Sequence, residues 1–129
     1  MNLLATSRTF IVAGAIGGFL SVCFGAFGAH AIKHSISPEL MAVYQTAVEY
    51  QFFHSLGLIL IGLLFQQQPN NFIKIAGWLM IAGTLIFSGS LYVLSLSGIR
   101  WLGAITPIGG TAFIAAWLLL AFGSLKKDS

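Results

Sequence analysis

Charge is scarce in this chain. Asp, Glu, Lys and Arg make up 7% of its 129 residues, against about 25% in soluble domains. So few charges cannot cover a water-exposed surface, which excludes an ordinary soluble fold. There are three acids, Glu39, Glu49 and Asp128. The six bases, Arg8, Lys33, Lys74, Arg100, Lys126 and Lys127, are scattered. They form no basic stripe, so nucleic acid is not an expected partner. The single cysteine, Cys23, excludes an intrachain disulfide and reads as small core filler. No Ser-His-Asp set, phosphate loop, dinucleotide fingerprint or metalloprotease motif occurs. The residues therefore point to no catalytic group and no cofactor.

What remains is apolar. Hydrophobic residues make up 57% of the chain. About 20 apolar residues cross the roughly 30 Å of bilayer hydrocarbon. Four stretches meet that length, roughly 9–28, 46–65, 72–96 and 101–122. In lipid each backbone polar group must be paired within its own segment, so these stretches are expected as helices. Short links make sequential neighbours antiparallel. The expected fold is all-α: a single domain, residues 1–129, forming an integral membrane four-helix bundle, up-down-up-down. Pro38 suits the first turn of a helix beginning near Ser37. Pro107 allows two starts for helix four: near Trp101 with a kink, or at Pro107 itself. Arg8 and the small-x-small triplet Ala29-His30-Ala31 also resemble a signal peptide, but the apolar stretch exceeds the usual 7–15 residues. Arg8, Lys74, Lys126 and Lys127 lie at one end of the bundle and Lys33 and Arg100 at the other. That bias places both termini in the cytoplasm.

Helix one carries Gly14, Gly18, Ser21, Gly25 and Gly28 on a stripe roughly 80° wide. Small residues let membrane helices approach closely, within one chain or between copies. The apolar spans make the lipid bilayer an expected partner, and the glycine stripe makes a homo-oligomer a second candidate. Helix three has a softer stripe of Gly77, Thr84, Ser88 and Ser95, whose hydroxyls can bond back to their own helix.

Sorted by depth, the polar residues gather at one end of the bundle. They are His30 from helix one; Tyr44, Gln45, Glu49, Gln51 and His54 from helix two; Ser88, Ser90 and Tyr92 from helix three; and Thr106 and Pro107 from helix four. Glu49 stands out because an ionisable group at mid-bilayer costs roughly 2.5–3.5 kcal/mol. A helix buried from residue 46 places it only about 4.5 Å inside the boundary, within reach of Lys33 or Arg100. It is either an anchored interfacial residue or a carboxylate that handles protons or cations. His54 lies deeper and about 140° around the helix from Glu49. Its bland reading is a neutral imidazole bonded to a serine or carbonyl; its functional one is a proton relay. His30 and His34 are spaced for a shared metal, but no third ligand accompanies them. Trp78, Trp101 and Trp117 read as interface or packing residues.

Gly25-Ala26-Phe27-Gly28-Ala29-His30, Tyr44-Gln45-Thr46-Ala47-Val48-Glu49-Tyr50-Gln51-Phe52-Phe53-His54-Ser55, Phe87-Ser88-Gly89-Ser90-Leu91-Tyr92 and Thr106-Pro107-Ile108-Gly109-Gly110 together resemble one family. It is the domain-of-unknown-function family DUF423, small bacterial inner-membrane proteins. The resemblance covers nearly the whole chain and implies four spans in the bacterial inner membrane. It implies no established activity. Two functions fit: a small transporter or conductance protein built on the polar layer, or an accessory membrane protein that binds lipid or a partner protein.

Overall fold

A computed structural model describes residues 2–126; Lys127 and Asp128 lie outside the described residues. Four long helices dominate: α1 Leu3–His30, α2 Pro38–Gln67, α3 Asn71–Ser97 and α4 Thr106–Leu125. Each of the four, α4 taken with the short turn before it, is long and apolar enough to cross a membrane. The chain is an all-α membrane bundle.

The helix ends follow from local chemistry. Asn2, Ser37 and Asn70 each accept a backbone N–H of the first turn, capping α1, α2 and α3. Pro38 follows Ser37 at the start of α2, where its missing N–H is no loss. Gly98 ends α3 in the left-handed conformation, φ 75°, which a side chain would strain. Helix four resolves its two expected starts in favour of Pro107. Arg100–Ala104 is a 3₁₀ turn, and α4 begins at Thr106 with Pro107 in its first turn. The helix does not run through from Trp101, because an α-helical proline at 107 would clash with the carbonyl at 103. The 20 residues of α4 reach about 30 Å, because the helix continues past Phe122 to Leu125.

Close backbone seams run between α1 and α2, α2 and α3, and α3 and α4. Successive helices are antiparallel. In the first seam Gly14 meets Ser55 and Ile59, Gly28 meets the Tyr44 ring, and Gly62 meets Ser7 and Ile11. In the third, Gly83 and Gly109 face Phe113 and Phe87, while Gly123 meets Ile73. The two middle helices are the buried ones: 44% and 39% of the most apolar windows of α2 and α3 are buried within the protein, against 17% and 22% for the outer pair. The outer faces of α1 and α4 are left to lipid. Between α1 and α3 the contact is made by side chains: Phe10 is fully buried and its ring fills the space above Gly77. Phe10, Leu58, Ile61, Phe65, Ile73, Met80 and Ala116 form the apolar core of the lower half.

The small-residue face of α1 differs from the expected one at one position. A Cβ on Gly18 meets nothing within 4 Å, whereas one on Gly17 meets the Ser55 side chain. Gly14 and Gly18 differ by 40° around the helix, enough to turn Gly18 out of the seam. Gly14, Gly17, Ser21 and Gly28 line it, and a Cβ on Gly25 would meet Val48 at 3.4 Å. Ser21 bonds back to Gly17 within its own helix.

A methyl group on Gly14 would sit 2.6 Å from the Ser55 carbonyl oxygen. Gly14→Ala is therefore expected to destabilise the α1–α2 seam by about 1–3 kcal/mol, the usual scale of overpacking. Gly18→Ala should be neutral or slightly stabilising. Reversible unfolding in mixed micelles compares the two.

Candidate functional site

The polar residues at one end of the bundle divide by facing. Seven point inward or between helices and are bonded within the chain. Gln51, buried on α2, bridges both of its neighbours. Its amide Nε2 donates to the Gly17 carbonyl of α1 at 2.9 Å, and its Oε1 accepts the Tyr92 hydroxyl of α3 at 2.6 Å. Tyr44, also buried, donates to the Phe24 carbonyl at 2.6 Å, and its ring meets Tyr92 edge-on at 5.4 Å. Ser88 donates across to the Ala47 carbonyl of α2 at 2.8 Å. This corrects the expectation that the α3 hydroxyls bond to their own helix, although Thr84 and Ser95 do so. The hydroxyl of Ser88 faces a carbonyl on the adjacent helix, so it ties α3 to α2. Ser90 meets Thr106 at 2.6 Å and joins α3 to the start of α4.

His54 is buried and fully engaged. Nδ1 lies 2.7 Å from the Tyr50 carbonyl, and Nε2 accepts the Trp117 indole N–H at 3.1 Å. Because Nε2 accepts, the proton sits on Nδ1 and donates to Tyr50. The imidazole is the neutral tautomer, locked between α2 and α4, and stacked on Phe113 with ring centres 3.5 Å apart. The Tyr50 carbonyl is one of the two partners expected for it, and the Trp117 indole is an added one. Trp117 lies in the apolar half of helix four by sequence. Only its pairing with His54, 63 residues away, shows that it belongs with the polar residues.

The remaining members face outward. His30, Gln45 and Glu49 are exposed. Glu49 makes no hydrogen bond or ion pair with a described residue. The expected partners lie elsewhere: Arg100 pairs instead with Glu39 at 2.8 Å, both side chains 68% exposed. Arg100 holds the Glu39 carboxyl below the ordinary carboxylate range. The pair joins the start of α2 to the turn before α4. Gln51 and Glu49 are two residues apart and thus about 200° apart on the helix, so one is buried while the other is outside.

The sequence profile of a family of proteins of unknown function, DUF423, matches residues 24–110. That stretch contains all the bonded polar residues of the layer just described, and leaves out only the Trp117 partner of His54. The chain belongs to the DUF423 family. Relatives include the UPF0382 membrane protein SH2409 of Staphylococcus haemolyticus, 49% identical over 92% of this chain and 97% of the relative. YwdK of Bacillus subtilis is 43% identical over 92% of this chain and 98% of its own length. The inner membrane protein YgdD of Escherichia coli is 37% identical over 94% and 92%. No solved structure matches the chain. This DUF423 protein is thus a membrane protein of an uncharacterised family, and its site must be judged by its own geometry.

That geometry separates structural from free groups. His54→Leu strands the Trp117 N–H and is expected to destabilise the bundle by about 1–2 kcal/mol, the range for membrane hydrogen bonds. Glu49→Gln breaks no hydrogen bond or ion pair with a described residue and is expected not to lower stability. Unfolding of both variants in the same micelles checks the contrast.

Proposed function

We propose that this protein is an accessory protein of the bacterial inner membrane that holds the hydrocarbon chain of a lipid between α1 and α3. The observation that carries this reading is a cavity of about 470 Å³ between those helices, floored by α2. Its volume falls within the roughly 300–1,000 Å³ of ligand sites. Ile16, Leu20, Phe24, Leu58, Ile81 and Leu85 are among its apolar lining, with Gln51 on the α2 floor and Ser88 and Tyr92 on the α3 wall. These three already bond within the chain, so the cavity asks its occupant for little polar contact. The cavity opens sideways, since α1 and α3 share no close backbone seam. At that depth the surrounding molecules are acyl chains.

A transporter or conductance protein was the other reading of the polar layer. It needs a line of groups free to exchange partners with a solute. Gln51, His54, Ser88, Ser90 and Tyr92 instead hold helices together, which favours the accessory reading. Lipid binding works in a single copy and needs no homo-oligomer. Cytoplasmic termini are part of this proposal; Arg8, Lys74 and Lys126 at the end where the described chain begins and stops support it. Lys126 there lies over the Phe72 ring at 4.9 Å.

Gly89 lines the cavity, and a Cβ built on it meets nothing within 4 Å. Gly89→Trp should therefore fill the cavity without opening a seam. In nanodiscs with spin-labelled lipid, the wild type is expected to show motionally restricted chains that the variant loses. Equal restricted fractions in the two proteins would sink the reading.

A further inference from the structure

Among the described residues Glu49 is the acid left without a partner. The Glu39–Arg100 pair, about two-thirds exposed, marks the polar boundary at its end of the bundle. Ten residues of α2 separate Glu39 from Glu49, a rise of about 15 Å. The headgroup region on each side is only roughly 5–7 Å thick. Glu49 therefore lies below that region, by about 4.5 Å if the buried stretch starts at residue 46 and by about 8–10 Å if Glu39 marks its outer edge, on a face turned away from the bundle. A bare carboxylate at that depth is costly unless it meets a counter-charge.

The surface around Glu49 is a groove rather than a flat face. A cavity of about 340 Å³ lies between the end of α1 and the first half of α2, lined by Gly25, Ala29, Tyr44, Gln45, Val48 and Glu49. Gln45 and Glu49 are its polar groups, and neither bonds to a described residue. One carboxylate and one amide make a poor metal site, and no group of three His, Cys, Asp or Glu able to hold a metal occurs among the described residues. The ethanolamine nitrogen of a phospholipid lies outside its phosphate, above the level of Glu49. A cation with its charge directly on an apolar body reaches this depth without carrying a phosphate with it.

We infer that this groove is a binding site for a lipophilic ammonium ion. The carboxylate of Glu49 accepts a charged N–H, the Gln45 amide oxygen accepts a second, and the apolar body lies along Gly25, Ala29 and Val48. This site is independent of the α1–α3 cavity. The two lie on opposite sides of the α1–α2 seam, because Gly17 and Phe24 face one side of α1 while Gly25 and Ala29 face the other.

The chain's only two glutamates, Glu39 and Glu49, make the test direct. Protein labelled with ¹³C-glutamate in phosphatidylcholine nanodiscs should give two carboxyl resonances, with Glu49→Gln assigning them. Hexadecylamine at neutral pH is expected to shift the Glu49 resonance saturably and leave that of Glu39 in place, while hexadecanol shifts neither. Gly25→Leu keeps the carboxylate but occupies the groove, and should weaken the saturation midpoint by about tenfold or more through the apolar contact it displaces. Four results would each overturn the proposal: no shift, equal shifts at both glutamates, an equal response to the alcohol, or a Gly25→Leu midpoint like the wild type's. So would a Glu49 resonance that ignores the amine and moves with protein density, which would assign the groove to a second copy.

Discussion

Gln51 bonds to both neighbouring helices at a depth where water offers no substitute partner. Its amide ties a carbonyl of α1 to a hydroxyl of α3 through α2. The rest of the upper bundle depends on this constraint. Hydrocarbon exerts no hydrophobic pull between helices, so association rests on close packing and on polar groups that find each other. Small residues bring the backbones together, and side chains such as Gln51, Ser88 and His54 then reach carbonyls or donors across the seam. Gly17 shows the coupling: it has no side chain, so Ser55 can approach, and its carbonyl is the one Gln51 reaches.

The fold class was legible because run length and charge scarcity are coarse, additive signals. The caps at Ser37 and Gly98 follow from single residues with strong local preferences. Facing was harder to read. Helix two is apolar on nearly every side, so its pattern does not say that Gln51 turns in and Glu49 turns out. The contrast appears only when Gly17 and Tyr92 are placed around it. Gly17 and Gly18 are adjacent and chemically identical, and only the position of Ser55 separates their roles. Trp117 was missed because depth sorting puts it in the apolar half of helix four. Its importance comes from a histidine on another helix, which no local pattern encodes.

These distinctions change what the polar layer means. It combines internal bonds that set the helix spacing with a few outward groups that remain free. The internal bonds sit beside an apolar cavity between α1 and α3, and the free carboxylate sits on the far side of the same seam. Structural and ligand-facing chemistry are thus carried by alternate faces of one helix. Membership of an uncharacterised family adds no activity to this, and the chemistry of the two cavities is the guide to function.

The central claim is that the Gln51–Tyr92 bond joins α2 to α3 as a stabilising contact. A double-mutant cycle with Gln51→Leu and Tyr92→Phe, read from reversible unfolding in micelles, measures it most directly. A favourable coupling of about 0.6 kcal/mol, the mean found by such cycles for interhelical hydrogen bonds in membranes, and at most about 1.7 kcal/mol is predicted. Strictly additive effects of the two substitutions would contradict the account.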